Sequence, residues 1–164
     1  MYKSIDQLIA LFFIAITLSI TACKVDSTNN WNEVDLLAYG IPIKINAPEK
    51  FEVKKTTFSS HDNFTIKGDN NYSMEIFVSD ATVNEPMTIK KELLEFTQGN
   101  KFFSELVLDQ DNGFIYKLVI DSSNVFYGFR KVKIQGSSQY VFQNPIMSQY
   151  DEVMARSLFE SIPD

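Results

Sequence analysis

An α+β fold, a single mostly antiparallel β-sheet with two helices packed on one face, is predicted by three observations in this 164-residue chain. Most of the sequence after residue 38 alternates apolar and polar residues with period two, the mark of half-buried strands. Two segments, near 87–98 and 148–161, change to three- and four-residue spacing, the mark of amphipathic helices. The separators between strand candidates are short and rich in Gly, Asn, Asp and Ser, which favours hairpins over long crossovers. The order β-rich, helix, β-meander, helix leaves one sheet covered by two helices as the economical arrangement.

Tyr39–Ala47 alternates around Ile41, Ile43 and Ile45. Pro42 marks it as an edge or entry strand, because proline gives no N–H to a ladder, and Pro48 stops it. Phe51–Phe58 and Phe64–Lys67 are two further alternating runs, joined by the polar stretch Ser59–Asn63. Gly68-Asp69-Asn70-Asn71 is a turn cluster, and Tyr72–Ser79 follows with Tyr72, Met74, Ile76 and Val78 on one face, which predicts a hairpin. Ile89, Leu93, Leu94 and Phe96 then predict a helix from about Met87 to Gln98, with Asn84 as its cap, Pro86 in its first turn and Gly99 at its end. Four strand candidates follow, Phe102–Leu108, Phe114–Asp121, Val125–Gln135 and Gln139–Gln143. A last helix, about Ser148–Ser161, is expected to bury Val153, Met154, Ser157, Leu158 and Ile162, with Gln149, Glu152, Arg156 and Glu160 facing water. Pro163 ends it.

The aromatic residues carry the first hint of a surface. Phe126, Tyr127, Phe129, Tyr140 and Phe142 crowd two adjacent strands, and alternation sends Phe126 and Tyr127 to opposite sides. Either a thick core absorbs them as ordinary cross-strand pairs, or an aromatic patch lies on the open sheet face, suited to a protein partner or an apolar ligand. Tyr127, Arg130 and Lys133 are the candidate residues of that partner surface.

The N-terminal segment gives an address. Lys3 precedes an apolar run, Leu8–Ile20, which is short of the roughly 20 residues of a spanning helix. The run closes in Ile20-Thr21-Ala22-Cys23, which resembles a bacterial lipobox. The resemblance implies cleavage between Ala22 and Cys23, then attachment of lipid to the Cys23 sulfur, since a thiolate is the nucleophile that takes up the diacylglyceryl group. A plain secretory signal and an uncleaved anchor are the alternatives. The expected divisions are a signal peptide, 1–22, a lipidated flexible tether, 23–34, and a globular domain, 35–164. Trp31 is the tether's one large side chain, placed either on the domain edge or in the membrane interface. Lys24 after the cysteine resembles outer-membrane lipoproteins, so a periplasm-facing outer-membrane location is expected. Asp26-Ser27-Thr28 resembles a bacterial O-glycosylation acceptor.

Cys23 is the only cysteine, so no intramolecular disulfide can form. The net charge of −6 opposes binding of nucleic acid through a basic face. About 130 residues suit one domain whose core holds without staples.

The layout also resembles the PsbP-like fold, shared by photosystem extrinsic proteins, Ran-binding Mog proteins and many bacterial lipoproteins. Ile41–Pro48 is similar to that family's opening strand, and the helix around Lys90–Phe96 and the closing Arg156–Ile162 add to the likeness. The Gly-Trp that often follows the opening strand is replaced by Glu49-Lys50-Phe51. The resemblance implies an architecture and no particular activity.

Chemistry-bearing motifs are sparse. His61 is the only histidine, and although Asp62 adjoins it, no Gly-x-Ser-x-Gly elbow presents a nucleophile. One histidine and no free cysteine cannot furnish the usual zinc ligands, so no metal is expected. Asp109-Gln110-Asp111-Asn112-Gly113 starts like a calcium loop, but its glycine comes fifth and Ile120 stands where the bidentate glutamate belongs; a hairpin turn accounts for it. The carboxylates Asp80, Glu85, Glu92, Glu95 and Asp121 are not paired by any motif. No phosphate-cradling glycine loop is present and no cofactor is expected. The reading is therefore a non-enzymatic, membrane-anchored envelope lipoprotein that binds or helps assemble an envelope protein. The alternative is a lipoprotein holding a small apolar ligand between sheet and helices; a hydrolase ranks third. Cells fed labelled fatty acid should label the parent chain and leave the Cys23→Ser variant unlabelled.

Overall fold

The computed structural model describes residues 31–146 and 148–164. The signal segment, Cys23 and Asp26-Ser27-Thr28 lie outside the described residues. The fold is α+β, with nine strands, a 3-10 turn and two helices among those residues. The strands are β1 (Asn32–Asp35), β2 (Lys44–Ala47), β3 (Phe51–Thr57), β4 (Asp62–Gly68), β5 (Ser73–Asp80), β6 (Phe103–Gln110), β7 (Gly113–Asp121), β8 (Asn124–Gln135) and β9 (Ser138–Gln143). The helices are α1 (Pro86–Gln98) and α2 (Glu152–Glu160).

Seven strands form one antiparallel sheet in the order β3-β4-β5-β9-β8-β7-β6. Two meanders, β3-β4-β5 and β6-β7-β8-β9, thus meet where β5 pairs with β9. The turns follow the chemistry of their residues. Asn70 and Asn71 take φ of 56° and 65° between β4 and β5, a conformation asparagine tolerates, and Gly136 takes φ of 61° between β8 and β9.

The helices lie on opposite faces of this sheet, which corrects the expectation that they share one. Directly paired residues point to the same side. Phe64, Ile76, Phe142 and Lys131 are paired in register across β4, β5, β9 and β8, and the first three belong to the core that contains Leu158 and Phe159 of α2. One residue along, Phe77, Val141 and Val132 are paired in register and pack with Ile89 and Leu93 of α1. Each fully buried apolar side chain among these, such as Ile76, Phe142, Val132 or Leu158, contributes about 1.5–3 kcal/mol of apolar burial.

Four departures from the expected element ends have a physical cause in the structure. Only Lys44–Ala47 of the predicted 39–47 strand is a strand, because Asp35 caps a 3-10 turn, Leu36–Tyr39, that Gly40 closes at φ 83°. Asn32, Glu33 and Val34, expected to be tether, form β1 with Asp35 and pair with β2, so folded structure begins ahead of residue 35. Trp31 lies edge-on against Tyr72, with centroids 4.8 Å apart. Glu85 rather than Asn84 precedes α1, since Pro86 fills the first helical position. The last helix starts at Glu152, not Ser148, because the Tyr150 carbonyl accepts from Tyr127 N (2.9 Å) and Asp151 then caps Met154 N (2.8 Å). That later start exposes Val153 and buries Ala155 and Phe159 in its place.

The β1–β2 hairpin lies on the α2 side, with Ile41, Ile43 and Ile45 in the core and Asn46 N donating to Ser161 O (2.7 Å). The C-terminal segment is held by Lys131, buried on β8, whose Nζ donates to Ile162 O (2.6 Å) and meets Asp164 Oδ1 (2.9 Å). Asn112 Nδ2 also donates to Asp164 (3.0 Å). The Lys131 ammonium, with the Asn112 amide, holds the Asp164 carboxyl below its ordinary 3.8. A depressed folded-state value gives stability that is present above the ordinary value and is lost as pH falls through the depressed one. Thermal midpoints of the parent and the Asp164→Asn variant should therefore differ at about pH 7 and converge below about pH 3.

Candidate functional site

The residues singled out from sequence do not form one surface. Tyr127 pairs with Lys117 and packs against the core on the α2 side, and Lys133 is on that same side, its Nζ donating to Pro163 O (3.1 Å). Arg130 is on the α1 side, paired with Phe114 and Gln143. Three residues on one strand with odd, even and odd numbers cannot share a face. The side chains expected to form a joint Tyr127–Arg130–Lys133 surface thus divide between the two faces; Tyr127 and Arg130 both border one groove, and Lys133 does not.

That groove, of about 480 Å³, is on the α1 face, between the far ends of β7 and β8, Asn100 just past α1, and Asn144, Ile146, Ser148 and Gln149. Tyr116, Leu118 and Ile120 of β7 and Phe126, Gly128 and Arg130 of β8 supply its floor. Arg130 is the one charged residue among those lining it. A larger hollow, about 630 Å³ bordered by Lys67, Tyr72, Ser73, Pro145, Ser148 and Tyr150, is more open and has no buried charge.

Gly128 shapes the floor. A Cβ there would come within 2.4 Å of Tyr116 Cζ and 2.7 Å of Asn144 Oδ1, so only glycine lets the phenol ring lie across β8. Asn144 Oδ1 accepts from Phe129 N (3.2 Å) and from the Tyr116 hydroxyl (3.5 Å). Its Nδ2 donates to Ser148 Oγ (3.1 Å), and that hydroxyl donates to Pro145 O (2.6 Å). The wall of the groove is thereby tied to its floor. Burial pushes the Tyr116 phenol above its usual value, so it is a neutral donor at physiological pH.

Arg130 is part-buried and held by a neutral group. Its Nη1 donates to Gln143 Oε1 (2.6 Å), and Gln143 Nε2 donates to Glu75 Oε2 (3.2 Å). Its Nε is buried without a hydrogen bond, and no carboxylate among the described residues forms an ion pair with it. Burial works against its charge, but an arginine stays cationic. The Phe96 ring of α1 lies 5.8 Å from the guanidinium. Phe96, expected in the helix core, is instead 75% exposed, and Ile146 (84%) and Ile120 (50%) are exposed nearby. Exposure of three large apolar groups in or beside a groove with one cation distinguishes it from ordinary surface.

The other sequence candidates come to rest elsewhere. His61 stacks on Phe58 (4.8 Å) and tilts against Phe77 (5.4 Å), with Ser60 Oγ 3.1 Å from Nδ1. Asp62 turns to Lys55 Nζ (2.8 Å) and does not orient the imidazole. Asp109 pairs with Lys90, Asn112 with Asp164, and Asp121 accepts from Ser123 N and Asn124 N within its own turn. Among the described residues no group of three His, Cys, Asp or Glu could hold a metal ion, and no helix is long and apolar enough to cross a membrane.

Sequence reasoning missed Tyr116, Gly128 and Asn144. The available signal was the glycine inside an aromatic strand, Phe126-Tyr127-Gly128-Phe129, since strand glycines mark close approach of another group. Replacing Gly128 by Ala should destabilise the domain by about 1–3 kcal/mol through overpacking. In a double-mutant cycle, Tyr116→Ala should recover a good part of that loss, as measured by denaturant unfolding. No family model, curated protein or solved structure matches this chain.

Proposed function

We propose that the chain is a membrane-anchored envelope lipoprotein, held by lipid on Cys23, whose α+β domain is a non-catalytic protein-binding or assembly module. The lipobox-like Ile20-Thr21-Ala22-Cys23 supports the anchor, and Lys24 supports an outer-membrane, periplasm-facing placement. The likeness to the PsbP-like fold rests on the residues quoted above and adds no activity. The observation that carries the binding role is the groove with its exposed apolar rim and its part-buried, carboxylate-free arginine. Arginine and aromatic groups together are the usual anchors of protein interfaces. Tethering raises the local concentration of a weak binder, which gives a physical reason to lipidate such a module.

A second reading, a carrier of a small apolar ligand, is favoured by the groove's volume, within the roughly 300–1,000 Å³ of small-molecule sites. Photo-crosslinking in intact cells separates the two. A crosslinking side chain at Ile146 should give a protein adduct of defined mass, and the same group at Lys54 on the far edge strand should not. Failure to obtain any protein adduct from Ile146 would transfer the role to the small ligand.

A further inference from the structure

The groove specifies more about its occupant than that it is a protein. The whole chain carries a net −6, yet the single charge lining this groove is positive. Arg130 has its Nη1 on an amide oxygen and its Nε buried without a partner, so the fold holds the guanidinium without a carboxylate and with fewer hydrogen bonds than it can make. A cation with no carboxylate beside it in a part-buried site gains most from an incoming anion, because charge-assisted hydrogen bonds strengthen as water is excluded. The nearest acid on its own ladder, Glu75, is one strand removed and already accepts from Gln143. Phe96 of α1 lies over the cation just outside the groove, and Ile120 and Ile146 line the groove with half or more of their surface exposed. Apolar surface therefore continues from the groove onto Phe96, and an acid flanked by apolar side chains along a peptide matches that combination of cation and apolar groups.

We infer that the groove docks a segment of the partner protein in which an aspartate or glutamate is flanked by apolar side chains, the carboxylate meeting Arg130 and the neighbours covering Phe96, Ile120 and Ile146. The inference rests on the protein-binding reading above. Planar guanidinium geometry favours a bidentate carboxylate, so lysine at this position is a poor substitute.

The test uses the full chain in detergent and two fluorescein-labelled octapeptides, one alternating Leu with Glu and the other alternating Leu with Gln. Fluorescence anisotropy should show the Glu peptide binding about tenfold tighter, the worth of one hydrogen bond to a charged group. Arg130→Met should reduce that preference to within about twofold, and Arg130→Lys should restore only part of it. Ile146→Asp, at a solvent-exposed position that leaves the core intact, should weaken the Glu peptide by a similar factor through like-charge repulsion. Equal binding of the two peptides, or an undiminished preference in the Ile146→Asp chain, overturns the acidic-segment inference and leaves the protein-binding reading standing. Binding of decanoate with no binding of either peptide overturns it in favour of a small carboxylate. A crosslinked protein from Ile146 whose contacted segment lacks an acid overturns it as well, whereas loss of every protein adduct removes the reading beneath it.

Discussion

Burial of β8 and β9 on both faces is the constraint from which the rest of the architecture follows. Phe129 and Phe142 are wholly buried on one side, and Val132 and Val141 are buried on the other. A strand apolar on both faces must be covered twice, and one sheet cannot do that for itself. The long link from β5 to β6 therefore carries α1 across one face, while the C-terminal segment carries α2 back across the other. The β1–β2 hairpin completes the α2 side, filling it with Ile43 and Ile45.

Covering both faces leaves an uneven edge, and the groove is the result. α1 contacts β8 and β7 but ends at Gln98, so the ends of β7 and β8 beyond it lie open on that face. Phe114, fully buried beside Arg130, marks where the helix still covers the sheet; Ile120, half-exposed farther along β7, marks where it does not. The sheet ladder then sets the electrostatics. Glu75, Gln143 and Arg130 stand in one row across β5, β9 and β8, so the amide between the two charges keeps them from pairing directly. An arginine paired with Glu75 would be neutralised inside the protein; the intervening glutamine leaves part of its field for the groove.

The floor of that groove is fixed rather than adaptable. Gly128 admits the Tyr116 ring, Tyr116 meets Asn144, and Asn144 reaches Ser148, so a strand, its neighbour and the following loop are fastened by one chain of contacts. Fixed polar groups bordered by exposed apolar ones lower the ordering cost of binding, since few side chains need to be immobilised when a partner arrives. Lys131 works in the same manner at the other face, where its ammonium ties the closing segment to β8 through the Ile162 carbonyl.

Local chemistry was legible in the sequence; the choice of face was not. Period two located seven of the sheet's strands because half-buried strands write their pattern residue by residue, and turn residues such as Asn70, Asn71 and Gly136 marked where they reverse. Helix α1 was equally plain from Pro86 to Gln98, yet its amphipathic stripe could not show that Phe96 lies over Arg130 instead of in the core. Periodicity is a one-dimensional quantity that states which residues of one element agree with each other, and it is silent about which side of a distant sheet they meet. Tyr140-Val141-Phe142 was the sign that both sides are covered, because a continuous apolar run has no solvent face. The sequence by itself determined the α+β class, the strand and turn positions, the negative charge and the lipobox-like address. Only the tertiary structure decided that α1 and α2 oppose each other and that Gly128, Tyr116 and Asn144 converge. Those outcomes depend on contacts between residues far apart in the chain, which no local pattern encodes.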